Sequence, residues 1–182
     1  MRLLDREISK YKEILFVDGY NVINSWDELK MNTEEELEES RLKLINILDE
    51  YQHYTKNCIV LVFDSYNIKS DRQVLKHNNL MIVYTKELET ADNFIERSVD
   101  IYASRKRIKV ATSDKLEQEI ILAMGATRIS AKELEVEIIN AKQATERIAR
   151  RNKIKNEMQM SGLHDEALSV LAEYKDKFHK KQ

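Results

Sequence analysis

The chain has 182 residues, 42% of them hydrophobic and 34% charged, with a formal net charge of −2; this predicts one globular domain with a sizeable core. Three glycines, Gly19, Gly125 and Gly162, and no proline leave no GxGxxG or GxxxxGK(S/T) phosphate loop, so no nucleotide cofactor is expected. A single cysteine, Cys58, excludes an internal disulfide, and no apolar stretch approaches the ~20 residues of a membrane span or resembles a signal peptide, so a reduced, cytoplasmic protein is expected.

Residues 1–13 carry no motif and are assigned no function. Ile14 to Val17 is a short apolar run that reads as a buried strand, closed by Asp18-Gly19-Tyr20-Asn21. Thr33-Glu34-Glu35-Glu36 has capping-box spacing, and Leu37, Leu44, Leu48 and Tyr51 then recur at helical spacing, so a long helix joins the first strand to the second. That second strand, Cys58 to Phe63, is closed by Asp64. Leu80 to Tyr84 is another, followed by Glu89-Thr90-Ala91-Asp92 at the start of a helix marked by Ile95, Val99 and Tyr102. Ile108 to Thr112 is closed by Ser113-Asp114 and leads into a helix marked by Leu116, Ile120 and Met124. After a short strand near 127–129, Ser130-Ala131-Lys132-Glu133 is a second capping box, opening a helix that Gly162 is expected to end before a last one near 165–178.

Alternating strands and helices predict an α/β domain with a mostly parallel sheet of four or five strands covered by helices, because parallel neighbours need crossover connections. The core is expected over about 14–140, with 141–182 a helical extension. The charge divides at the same place: residues 1–140 hold 20 Lys and Arg against 26 Asp and Glu, whereas 141–182 hold 10 against 6. A basic tail of this kind suits RNA or ribosome contact, or is a solvated helix face.

The loops leaving parallel strands share one edge, so Asp18, Asp64, Asp92 and Asp114 should converge in the crevice where open α/β sheets bind ligands. Two carboxylates about 4 Å apart repel by about 1 kcal/mol in bulk water and about 4 kcal/mol at an effective dielectric near 20. Such a group wants a cation. Oxygen ligands without His or Cys select Mg²⁺ or Mn²⁺ over zinc, which points to phosphodiester or phosphoryl chemistry. Each acid also has a local competitor: Asp18 is placed to cap a helix, and Asp92 and Asp114 suit first turns, the latter with Glu117 at capping-box spacing. Asn21 either orients a phosphate oxygen or water or makes a structural Asx bond; Ser113 either bonds phosphate or caps; Glu89 is a candidate for the outer shell. Gly19 permits a sharp turn or close approach to a ligand.

The VDGYNVI, LVFDS, YTKELETAD and VATSD segments, with the long helix ending Asp49-Glu50-Tyr51-Gln52, resemble the YacP-like NYN proteins, a branch of the PIN-like nucleases. The resemblance covers nearly the whole chain and departs from the family only before Ile14, since such proteins usually begin close to the first strand. It implies a PIN-like three-layer α/β/α fold, Mg²⁺ or Mn²⁺, and a ribosome-associated endonuclease that cleaves mRNA. Asp18, Asn21, Asp64, Asp92 and Asp114 are then the expected catalytic residues, the four aspartates also being the metal ligands. The expected reaction is in-line attack of a metal-activated water on phosphorus, leaving 5′-phosphate and 3′-hydroxyl ends. His53, His77, His164 and His179 fall outside the acidic motifs, which disfavours a metal-free histidine route.

Lys69, Arg72, Lys76 and His77 follow the second strand and Lys86 the third, so the lysines and Arg72 are candidate RNA contacts at the acidic edge. Tyr20 and Tyr66 are candidate base-stacking groups, or packing. An aspartyl phosphatase of the haloacid dehalogenase type would want an acid where Tyr20 stands. A non-catalytic RNA or ribosome adaptor, with the acids as helix caps, is the remaining alternative.

Overall fold

Residues 2–30, 34–65 and 71–179 are described by the computed structural model. In chain order they form α1 (Arg2–Ser9), β1 (Glu13–Asp18), α2 (Gly19–Ser25), α3 (Glu34–Thr55), β2 (Cys58–Phe63), β3 (Gln73–His77), β4 (Leu80–Tyr84), α4 (Ala91–Tyr102), β5 (Arg107–Ala111), α5 (Lys115–Ala123), β6 (Thr127–Ile129) and α6 (Ala131–His179). The sheet order is β3-β4-β2-β1-β5-β6, and all neighbours run parallel except the β3–β4 pair.

The alternation of side chains along each strand divides the core in two. Leu15, Val17, Ile59, Leu61 and Phe63 face α2, α3 and the start of α6, whereas Ile14, Phe16, Val60 and Val62 face α1, α4 and α5. Strands buried on both faces explain why β1, β2 and β4 read as continuous apolar runs.

β3 was not expected from the sequence, and it raises the sheet to six strands. It is an exposed edge strand without an apolar run, and its only sequence signal is the Asn78-Asn79 pair that turns it into β4. Asn78 takes the left-handed conformation such a turn requires, with φ of 51°. α5 also presents a different face from the one its spacing suggested: Leu116 is 68% exposed, and Glu117 and Ile121 are the buried residues.

Contacts divide the chain into two units, Met1–Ala141 and Lys142–Gln182. The Ser130–Glu133 capping box forms as expected, each residue's side chain accepting the other's backbone N–H at 3.2 and 2.7 Å. Gly162 does not divide the helix it opens: α6 continues to His179, since one interior glycine costs only about 1 kcal/mol and no proline follows. Among the described residues no helix is long and apolar enough to cross a membrane. The expected cap at Thr33, the ring of Tyr66 and the side chain of Lys69 lie outside the described residues.

Candidate metal centre

The strand order reverses at β1: the chain builds outward through β2 and β4, then returns to place β5 on the other side. The crevice beyond the carboxyl ends of β1 and β5 is therefore the place where such sheets bind ligands. Asp18 is the last residue of β1 and Asp114 follows β5.

Asp18, Asp92 and Glu117 each bring a carboxylate oxygen to within 4.8 Å of the others. Asp18 closes a strand, Asp92 lies in the first turn of α4 and Glu117 in the first turn of α5. Asp92 does not cap its helix, because Thr90 takes that role, accepting from Asn93 N–H at 3.2 Å. Asp18 serves both purposes, since its Oδ1 also accepts the Asn21 N–H at 3.0 Å. Glu117 was overlooked because its spacing from Asp114 has a local explanation. That box is only half formed: Asp114 accepts from Leu116 and Glu117 N–H, but its own N–H goes to Thr112 Oγ1 at 3.1 Å. Among the described residues neither Glu117 oxygen, both of them buried, has a hydrogen-bond partner. The available signal was Ile121, four residues on, which puts Glu117 on the buried face.

Electrostatics follow from this enclosure. Burial pushes Asp18 up to about 7, reinforced by Asp92 and Asp64 and opposed by the Asn21 N–H. Burial likewise pushes Glu117 up to about 8, with Asp92, Asp18 and Asp114 adding repulsion and Thr112 nearby opposing it. Asp92 and Asp64 are raised as well, by burial first; Asp114 and Asp64 then add to the shift at Asp92, while the Ala91 N–H opposes it at Asp64. An all-carboxylate set with an orphaned buried member fits a hard divalent cation, which would replace missing donors and cancel repulsion.

The other expected residues surround this group. Asp64 accepts the Ala91 N–H and so holds the start of α4. Asp114 is the N-cap of α5. Asn21 Oδ1 accepts the Ser113 N–H at 2.7 Å, fastening α2 to the loop after β5, and Ser113 Oγ lies 3.2 Å from Ser25 Oγ. Gly19 is needed for space: a Cβ there would stand 2.3 Å from Phe63 Cε1.

Two of the expected RNA contacts are placed otherwise. Because β3 runs antiparallel, Lys76 sits opposite Met81 at the start of β4 and bonds Glu7 at 3.1 Å, away from the acidic edge. Arg72 is at that edge but grips Glu89 through two nitrogens, and Arg97 joins the same carboxylate at 3.0 Å. Glu89 is thus a buried ion-pair partner, held below the usual carboxylate range by the arginines and the Lys86 N–H against the cost of burial. Lys86 is exposed. A cavity of about 240 Å³ opens at the opposite edge between β1, β5 and the end of α3 and holds none of these acids.

A mostly parallel open sheet with a carboxylate cluster at its switch point places the chain among α/β domains whose acidic site could hold a cation. The family model described as YacP-like NYN domain matches residues 15–176, and the chain belongs to that family. It is 39% identical over 140 residues to the uncharacterized protein YacP of Bacillus subtilis strain 168, covering 76% of this chain and 82% of that one. The crystal structure of Rae1 (YacP) from Bacillus subtilis superposes with a TM-score of 0.64 at 36% identity, over 89% of this chain and 94% of that one. A mutant of the same protein gives 0.66 at 38% identity, over 76% and 82%. These likenesses put the chain in a nuclease-type family.

Proposed function

We propose that the chain is a metal-dependent endoribonuclease that cleaves mRNA in association with the translating ribosome. The observation that carries this reading is the convergence of Asp18, Asp92 and Glu117 within 4.8 Å, with the Glu117 oxygens buried and lacking donors. These three carboxylates would hold Mg²⁺ or Mn²⁺. The ion, when bound, supplies a water of lowered pKa and neutralises charge at the phosphate. Asp64 and Asp114 fix the first turns of α4 and α5 and thereby position Asp92 and Glu117. Asn21 ties the loop carrying Ser113 and Asp114 to the end of β1.

RNA as substrate is supported by the family. A polyanionic partner is supported by the composition of the exposed stretch 142–157, which carries Lys142, Arg147, Arg150, Arg151, Lys153 and Lys155 against the acids Glu146 and Glu157. The test is cleavage of an actively translated mRNA, with ribosomes and Mg²⁺ or Mn²⁺, by the wild-type chain and by Asp18→Asn. Cuts that require the metal and vanish in the variant are expected. Equal cutting by both proteins sinks the site assignment, and ribosome binding with no cleavage moves the reading to an adaptor.

A further inference from the structure

Three rings cross the carboxyl edge of the sheet on the face opposite the acids. Tyr20 follows β1, Phe63 ends β2 and Tyr84 ends β4, with Phe63 and Tyr84 paired in register. The Phe63 and Tyr84 rings stack with centroids 5.6 Å apart and planes at 24°, and Tyr20 leans on Phe63 at 5.2 Å and 58°. Phe63 is fully buried, whereas Tyr20 and Tyr84 are partly exposed. The Arg41 guanidinium from α3 lies over this row, 5.2 Å from the Tyr20 centroid and 5.9 Å from that of Phe63. It bonds the Tyr20 hydroxyl and Glu38, yet its Nε is buried with no partner among the described residues.

We propose that Tyr20, Tyr84 and Arg41 form a shelf that takes a nucleobase of the single-stranded substrate beside its scissile phosphate; this rests on the nuclease reading above. Side-chain alternation puts Phe63 on the α3 face, while Asp64, the next residue, bonds the start of α4. A strand whose phosphate reaches the acidic cluster therefore crosses the sheet edge directly onto the rings. Packing alone leaves the arginine unexplained, because a buried guanidinium nitrogen without an acceptor is costly. A base ring or its flanking phosphate satisfies it, and a planar guanidinium beside aromatic faces suits base stacking without sequence readout. The shelf also brings positive charge near a site that is otherwise carboxylate, where an approaching phosphate is repelled. Gly19 connects the two halves: it separates Asp18 from Tyr20, and a Cβ there would strike Phe63.

The experiment compares binding of a short fluorescent oligoribonucleotide and an abasic strand of equal length to the full chain in Mg²⁺, with Asp92→Asn present throughout so that the RNA survives. The base-carrying strand is expected to bind roughly tenfold tighter. Tyr84→Leu, which keeps apolar volume without a π face, should erase most of that ratio and leave the abasic affinity unchanged, while Tyr84→Phe preserves it. Arg41→Gln should lower affinity for both strands. An unchanged ratio in Tyr84→Leu overturns the shelf and leaves the nuclease reading standing, provided its thermal midpoint matches that of Tyr84→Phe. Should Tyr84→Leu fail to fold, Tyr20→Leu decides by the same ratio. Absence of binding to either strand, together with no metal-dependent cleavage by the wild type, overturns both.

Discussion

Two glutamates, one at each edge of the sheet, are equally hidden and oppositely treated. Glu7 and Glu117 are each 3% exposed. At the amino edge Glu7 receives Lys10 at 2.8 Å and Lys76 at 3.1 Å, and these bonds hold its carboxyl below the usual range. At the carboxyl edge neither Glu117 oxygen makes a hydrogen bond among the described residues, and burial pushes its carboxyl up to about 8 despite Thr112 nearby. The same contrast extends to the neighbours: Arg107 meets Glu13 and Lys109 meets Glu137, while Asp18, Asp64 and Asp92 repel one another. The amino edge pairs its buried glutamate within the chain, although Asp49 Oδ1 and both amide atoms of Gln52, at the end of α3, are buried there without partners among the described residues. The carboxyl edge pairs Glu89 with Arg72 and Arg97 but gathers Asp18, Asp92 and Glu117 without a cationic side chain between them, the kind of perturbed acidic cluster that marks a candidate site.

The largest expected effect comes from turning Glu117 into an amide. Glu117→Gln should lower metal-dependent cleavage of translated mRNA by roughly 10²-fold or more, the usual loss for one electrostatic stabiliser. Above pH 8 it should at the same time raise the thermal midpoint of the EDTA-treated protein, because there the wild type carries a repelled buried carboxylate that the amide removes. Wild-type cleavage in the variant would remove Glu117 from the centre.

Acidity supplies the next test. The folded pKa values of Asp18 and Glu117 lie above the ordinary 3.8 and 4.5, at about 7 and 8. Between about pH 4 and 8 the folded protein in EDTA thus binds more protons than the unfolded chain, and its stability falls as pH rises through that interval. Saturating Mn²⁺ at pH 8 should restore it, by about 2.7 kcal/mol at a hundredfold excess over Kd, and should add much less at pH 5 where protons compete. A midpoint indifferent to both pH and metal would show that the cluster holds no ion.

Much of this arrangement could be read from the chain. Apolar runs ended by Asp18, Asp64 and Asp114 revealed the strands and the shared edge, because parallel strands buried on both faces leave continuous hydrophobic segments. Glu117 could not be assigned so easily, since capping-box spacing explains a glutamate locally and only the fold shows its carboxylate buried beside Asp18 and Asp92. Arg72 and Glu89 lie 17 residues apart, and their pairing depends on β3, an exposed strand without an apolar signature. Arg41 follows Glu38 and Glu39 on α3, and nothing in that local pattern signals its place over Tyr20 and Phe63, which arises from packing between α3 and the ends of β1 and β2.

Gly19→Ala probes how tightly the carboxyl edge is built. The new methyl group would meet the Phe63 ring at 2.3 Å, and overpacking of this kind costs about 1–3 kcal/mol. Because Asp18 precedes the glycine and Tyr20 follows it, cleavage should fall along with the thermal midpoint. A stable but inactive variant would mean that the strain is relieved by moving the site.

Lys76→Gln gives the smallest effect and tests the other half of the contrast. Lys76 looked like an RNA contact from its place after β2, yet the antiparallel turn of β3 carries it to the amino edge and onto Glu7. Its side chain is 35% exposed and Lys10 still serves the same carboxylate, so solvent and the remaining partner absorb most of the loss, about 1 kcal/mol or less. The salt dependence of RNA binding counts the phosphates a protein neutralises. If the amino edge is purely structural, the slope of log affinity against log salt stays the same in Lys76→Gln while the thermal midpoint drops slightly. A shallower slope would put phosphate at that edge and remove the contrast drawn between the paired Glu7 and the unpaired Glu117.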